Sequence, residues 1–175
     1  MIKGVVLVGF MGTGKTEVGR LLAQHLRLAW VDTDDLIVQQ AGKPITRIFT
    51  EDSEAAFREW ETRVLTGLAA SGQPARVVAT GGGIVLREAN WPLLRRLGDV
   101  VCLTASPDCI WRRVGLAPDR PLLAGSENEV RHRIQTLLAE RQAAYARADW
   151  QCPTDHSTPE QIARSILTWR KNRKG

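Results

Sequence analysis

The eight residues Gly9-Phe10-Met11-Gly12-Thr13-Gly14-Lys15-Thr16 constrain this chain more than any other segment. They follow an apolar run, Val5–Val8. They precede Lys15–Arg27, where Val18, Leu21, Leu22 and Leu26 recur at helical spacing. A glycine-rich turn ending in Lys-Thr, set between a strand and a helix, curls the backbone so that its amides converge. The helix N-terminus adds positive potential to the same place. Such a cup, with amides from Gly12, Thr13, Gly14 and Lys15, suits the phosphates of a nucleotide. Lys15 is then placed to reach the β and γ phosphates, and the Thr16 hydroxyl to hold Mg²⁺.

The rest of the chain alternates short apolar runs with longer amphipathic ones. Ala29–Val31, Arg76–Ala79, Val100–Leu103 and Trp150–Cys152 read as further strands. Asp34–Gln40, Ser53–Ala70, Arg87–Leu97, Pro107–Val114, Glu129–Arg147 and Pro159–Trp169 read as helices. Pro92 is expected either to kink its helix or to delay its start. Strands that are apolar throughout and separated by helices predict an α/β fold, with a parallel sheet covered on both faces. Ligands of such sheets bind beyond the carboxyl ends of the strands.

The segments at those ends carry chemistry. Strand two runs into Asp32-Thr33-Asp34-Asp35. Residues i and i+2 of an extended segment share a side, so Asp32 and Asp34 are expected to face one site, with Asp35 capping the next helix. One carboxylate supports Mg²⁺ and the other handles an acceptor hydroxyl. Strand three is followed by Gly81-Gly82-Gly83, which permit unusual φ values and close approach to a ligand. Arg58 precedes Glu61 by three residues, a spacing that makes a surface pair or holds a guanidinium ready for a carboxylate. Gly115–Asn128 reads as a mobile loop, and Arg120 stands in it between Pro118 and Pro121. From there Arg120 is expected to reach a transferring phosphoryl group. Arg141 lies mid-helix among polar residues.

Composition narrows the partners. The 175 residues carry 43% hydrophobic and 25% charged side chains, which excludes wholesale disorder. No apolar stretch is long enough to span a bilayer. The short run after Lys3 lacks a cleavage site, so the expectation is a cytoplasmic protein with no membrane partner. Cys102, Cys109 and Cys152 form no metal or disulfide pattern and are expected to be buried thiols. The net charge is +5, but Arg170, Lys171, Arg173 and Lys174 fall in the last six residues. A charge that comes mostly from a frayed basic tail, residues 170–175, is weak evidence for nucleic-acid binding, and no nucleic-acid partner is expected.

Taken together, Gly9–Thr16, Asp32-Thr33-Asp34, Phe57-Arg58, Gly81-Gly82-Gly83, Arg120-Pro121-Leu122-Leu123 and Arg141 with Tyr145 resemble shikimate kinase, in order and spacing, over nearly the whole chain. The resemblance implies one P-loop domain of the nucleoside-monophosphate-kinase kind, residues 1–175. It implies a five-stranded parallel sheet in order 2-3-1-4-5, a substrate-binding subregion at about 33–61 and a lid at about 115–128. It implies a monomer that converts ATP and shikimate to ADP and shikimate 3-phosphate in chorismate and aromatic amino-acid biosynthesis. By position, Lys15 and the loop amides hold phosphates. Thr16 and Asp32 serve Mg²⁺, Asp32 through water. Asp34 bonds the reacting hydroxyl and is the candidate base. Arg58 and Arg141 clamp the substrate carboxylate, Gly81, Gly82 and Gly83 line the ring, and Arg120 comes from the lid. Thr154–Pro159 holds adenine, with Arg113 or its neighbour Arg112 on the other side of the base.

Two segments depart from the resemblance. Ala143 stands where many relatives have proline, and Cys152-Pro153-Thr154-Asp155-His156 replaces a commoner Val-Asp-Thr type of run. Two other readings compete. One is a sugar-acid kinase of the same fold, such as a gluconate kinase. The other is a non-catalytic, nucleotide-dependent binding module that uses the Trp169–Lys174 tail.

Overall fold

The computed structural model describes residues 3–70, 72–115 and 125–173. Five apolar runs form strands: β1 (Gly4–Gly9), β2 (Ala29–Asp32), β3 (Arg76–Ala79), β4 (Gly98–Thr104) and β5 (Trp150–Pro153). All pair in parallel, in the order β2-β3-β1-β4-β5. This is the order implied by the resemblance. The helices are α1 (Lys15–Leu26), α2 (Thr33–Ala41), the single turn α3 (Ile45–Arg47), α4 (Glu54–Leu68), α5 (Asn90–Leu97), α6 (Pro107–Val114), α7 (Glu127–Tyr145) and α8 (Pro159–Asn172).

Alternation along β1 divides the core in two. Val6 and Val8 point into one layer with Phe57, Val64, Leu65, Trp91, Ile110 and Ile134, which belong to α4, α5, α6 and α7. Val5 and Leu7 point into the other with Val18, Leu22, Ile162 and Ile166, from α1 and α8. β1 is buried along its whole length because both faces are covered. Register pairs Leu7 with Ala79 and with Val101, so the ends of β1, β3 and β4 open on one rim. The phosphate loop, the segment after Asp32 and the glycine triplet all emerge there.

Several boundaries differ from the expectations. α2 begins one residue early because Asp32, not Asp35, is its cap: the Asp32 carboxylate accepts the Asp34 N–H at 3.0 Å. α5 starts at Asn90, so Pro92 lies in the first turn, where its missing N–H has no helical partner to lose. α7 starts at Glu127, fixed by reciprocal bonds between Ser126 and Glu129. The basic tail is not frayed through residue 173. α8 continues to Asn172, and Arg170 is 5% exposed. Its guanidinium donates to Asp99 at 2.9 Å and to the Lys3 carbonyl at 2.6 Å, while Arg173 pairs with Asp149 at 3.2 Å. The three cysteines are buried and free, as expected. Most of the expected lid, with Arg120, lies outside the described residues, as does Lys174.

Candidate active site

The phosphate loop depends on backbone that only glycine adopts easily. Gly14 caps α1 at φ 90°. Gly12 has φ 75°, and a Cβ on it would come within 2.7 Å of the Val114 side chain on α6. The loop is braced internally: Thr13 Oγ1 donates to the Phe10 carbonyl at 2.8 Å. Lys15 Nζ donates to the carbonyls of Gly9 and Phe10 at 2.9 and 2.7 Å, which holds the ammonium over the cup. The loop lines a cavity of about 550 Å³ together with Asp32, Asp34, Gly81, Gly82, Arg113 and Pro159.

Asp32 and Thr16 meet at the base of this cavity. Thr16 Oγ1 donates to Asp32 Oδ2 at 3.3 Å. Burial pushes the Asp32 carboxyl above its ordinary range, against the Asp34 N–H and Thr16 bonds that pull it down. A hydroxyl and a carboxylate oxygen side by side fit the sparse protein share of a Mg²⁺ shell, which is completed by phosphate oxygens and waters. Among the described residues no cluster of three or more acidic, histidine or cysteine ligands forms an all-protein metal cage. Asp34 reaches the same cavity from the first turn of α2. The expected sharing of one site holds, but a capped helix start brings it about, not strand alternation.

The side beyond Gly81 is built from separate elements. Arg58 on α4 donates from Nη1 to Glu61 Oε2 at 2.9 Å and from Nη2 to Glu54 at 2.8 Å. Arg141 on α7 is 4% exposed, with its guanidinium 5.4 Å from the Phe10 ring centre and its Nε without a hydrogen-bond partner. Tyr145, one turn on, donates its hydroxyl to the Gly82 carbonyl at 2.7 Å. Arg58, Gly83 and Arg141 do not line the phosphate cavity; the Arg58 guanidinium stands against Gly83 and that of Arg141 near Gly82.

That triplet works by space and not by φ. None of Gly81, Gly82 and Gly83 has a positive φ, contrary to the expectation of unusual backbone. A Cβ on Gly81 would stand 2.8 Å from Asp34 Oδ1, and one on Gly83 would collide with the Arg58 guanidinium. A Cβ on Gly82 would lie 3.5 Å from Arg141 Nη1. The missing side chains make room for the functional ones.

Of the two neighbouring arginines on α6, Arg113 and not Arg112 lines the cavity. Its guanidinium donates to the Gly12 carbonyl at 3.1 Å and to the Thr154 hydroxyl and carbonyl at 2.9 and 2.6 Å. It thereby ties the phosphate loop to the segment after β5, where Ser157 and Pro159 line the same cavity.

Comparison with known proteins settles the family. A profile described as shikimate kinase matches residues 11–171. The chain belongs to the shikimate kinase family. A shikimate kinase of Thermodesulfovibrio yellowstonii is 39% identical, covering 95% of this chain and 94% of that one. One from Desulforudis audaxviator is 44% identical over 98% of this chain and 88% of its own length. The solved structure of shikimate kinase from Acinetobacter baumannii in complex with shikimate has a TM-score of 0.91 at 31% identity, covering 99% of this chain and 96% of that one. A gluconokinase from Sinorhizobium meliloti has a TM-score of 0.56 at 16% identity, which shows a shared fold alone.

Within this member of the shikimate kinase family, Glu61 is the site residue the sequence reading undervalued. The Arg58–Glu61 spacing suits either a surface pair or a guanidinium held ready for a carboxylate, and Glu61 is 1% exposed, which excludes the surface pair. The signal was present: Glu61 follows Phe57 by four residues and precedes Val64, Leu65 and Leu68 on the buried stripe of α4. A carboxylate on a buried stripe needs a partner, and Arg58 is that partner. Burial pushes its carboxyl up to about 7, against the pull of Arg58.

Proposed function

We propose that this chain transfers the γ-phosphoryl group of ATP to the 3-hydroxyl of shikimate, forming ADP and shikimate 3-phosphate. The observation that carries the reading is the placement of Asp34. It lines the phosphate cavity, and its Oδ1 lies against Gly81, on the side where Arg58 and Arg141 stand. A nucleotide on the loop and a carboxylate-bearing ring on the arginines would meet at that carboxylate.

The roles follow from the geometry. The loop amides from Gly12 to Thr16 and the Lys15 ammonium take the phosphates, Lys15 exchanging its carbonyl partners for phosphate oxygens. Thr16 and Asp32 would hold Mg²⁺, which would supply charge neutralisation on the phosphates. Arg58 and Arg141 bind the acceptor carboxylate, which gives the unpartnered Arg141 Nε an acceptor. Gly81, Gly82 and Gly83 pass along the ring. Asp34 accepts the proton of the 3-hydroxyl as its oxygen bonds to the γ-phosphorus and the bond to the bridging oxygen of ADP breaks. Arg120, outside the described residues, adds positive charge to the transferring group. Adenine lies between Arg113 and the Thr154–Pro159 segment.

The reading includes a single domain acting as a cytoplasmic monomer, with substrate-binding subregion and lid as the sequence suggests. It includes no membrane or nucleic-acid partner. Among the described residues no helix is long and apolar enough to cross a membrane. Two of the basic groups near the C-terminus, Arg170 and Arg173, pair with Asp99 and Asp149 of the chain's own fold.

A coupled ADP-release assay with Mg²⁺-ATP and either shikimate or gluconate tests the reading. Turnover dependent on shikimate and on Mg²⁺ is expected. Turnover on gluconate alone, or salt-sensitive binding of single-stranded DNA without turnover, contradicts it.

A further inference from the structure

Glu61 stands where the acceptor arginines and Asp34 converge, and only one of its oxygens is engaged. Oε2 accepts from Arg58 at 2.9 Å, whereas Oε1 is buried without a hydrogen-bond partner. A Cβ on Gly81 would lie 3.1 Å from Glu61 Oε1 and 2.8 Å from Asp34 Oδ1. Two carboxylate oxygens thus converge on the bare face of Gly81, closer than a methyl group there would allow.

Several charges act on this carboxyl. Arg58 lies on its own helix, where Glu54 competes for the same guanidinium. Asp34 acts from α2 and Arg141 from α7. From the turn after the glycine triplet, Arg87 donates to the Arg58 backbone carbonyl at 3.3 Å. Asp34 disfavours the ionised form, and the two guanidiniums favour it. Those guanidiniums are also the ones assigned above to an acceptor carboxylate. An arriving carboxylate adds negative charge beside Glu61 and takes a share of the arginines. Ionised Glu61 would then hold a buried charge with less compensation than before.

We propose that Glu61 takes up a proton from solvent when a carboxylate acceptor docks on Arg58 and Arg141, and returns it when the product leaves. One O–H bond forms on the carboxyl, the proton comes from water or buffer, and no electrons move. The neutral carboxyl keeps an acceptor oxygen for Arg58 and gains a donor for the space beside Gly81. This inference rests on the acceptor reading of Arg58 and Arg141.

Burial already lifts the free group to about 7, so uptake is a near-neutral event. The sign follows from the direction of the second shift. Binding raises the pKa further, so acceptor affinity is greatest below the free value. It declines as pH rises through the interval between the free and bound values, by at most about tenfold per pH unit.

Calorimetric titration of the full chain with shikimate at pH 7.5, in phosphate, HEPES and Tris, reads the proton directly from the dependence of heat on buffer ionisation. Because a group near 7 is already about a quarter protonated at this pH, uptake of roughly 0.3 to 0.75 proton per site is expected. Glu61→Gln, which keeps an oxygen for Arg58 but does not titrate, should bind shikimate with no buffer dependence and a flatter KM–pH profile. Should that variant fail to fold, a difference infrared spectrum of the wild type must show a protonated-carboxyl band appearing with shikimate. Shikimate binding and turnover without proton uptake overturns this proposal alone, as does equal uptake in a folded Glu61→Gln. Absence of both binding and turnover overturns the acceptor reading and this proposal with it.

Discussion

The two halves of the site are made in different ways. The phosphate half is a contiguous run, Gly9–Thr16, whose cup is main chain shaped by Gly12 and Gly14. The acceptor half is side chains from α2, α4 and α7 that meet over three glycines. Backbone amides tolerate changes of side chain, and a local loop pays little chain entropy to form. Side chains gathered from distant elements depend on the packing of each element. The acceptor half should therefore be the more fragile, and the two halves should fail separately.

The sharpest way to break the comparison is at the seam. Asp34→Asn should lower kcat by about 10²–10⁴-fold, the usual contribution of a positioned base, and leave ATP affinity nearly unchanged. Near-normal turnover would reject Asp34 as the group that handles the proton. Next in size, Arg58→Ala and Arg141→Ala should each raise the KM for shikimate by an amount equivalent to about 2–4 kcal/mol of lost charge-assisted binding. The KM for ATP should stay within a small factor. A loss of ATP affinity instead would show that the halves are not separate.

The glycine triplet offers a finer division. Gly81→Ala presses on Asp34 and should act on kcat, whereas Gly83→Ala presses on the Arg58 guanidinium and should act on the shikimate KM. Displacements near 1 Å at such groups are worth about 10²-fold. Equal effects on both parameters by both variants would contradict the assignment. The smallest expected effect lies at Ser53, the cap of α4, which sits at φ 134° and ψ 167°. Ser53→Gly should stabilise the chain by about 1 kcal/mol, because relief of a glycine-like conformation outweighs loss of the bond to the Ala56 N–H. Denaturant unfolding measures it.

The same contrast decides what could be read from the sequence. The phosphate loop was legible because its chemistry is local, and the sheet because its strands are apolar on both faces. Asp32 and Asp34 were placed at one site for the wrong reason, since strand alternation does not foresee a helix capped by Asp32. From sequence the glycines read as φ devices and as room for a ligand, but not as room for Asp34 and Arg58, which are 47 and 25 residues away in the chain. Arg170 was read as tail charge because its partner, Asp99, lies 71 residues away on β4. Interactions between distant elements leave little trace in spacing. Glu61 is the exception, since its place on the α4 stripe marked it as buried.

In the proposed function, nucleotide and acceptor meet at Asp34. A crystal structure of the chain with shikimate and a non-hydrolysable ATP analogue tests it most directly. The account predicts the shikimate carboxylate between Arg58 and Arg141, with the 3-hydroxyl on Asp34 and facing the terminal phosphate. Shikimate bound away from that phosphate, or with its carboxylate on Lys15 instead of the arginine pair, would contradict it.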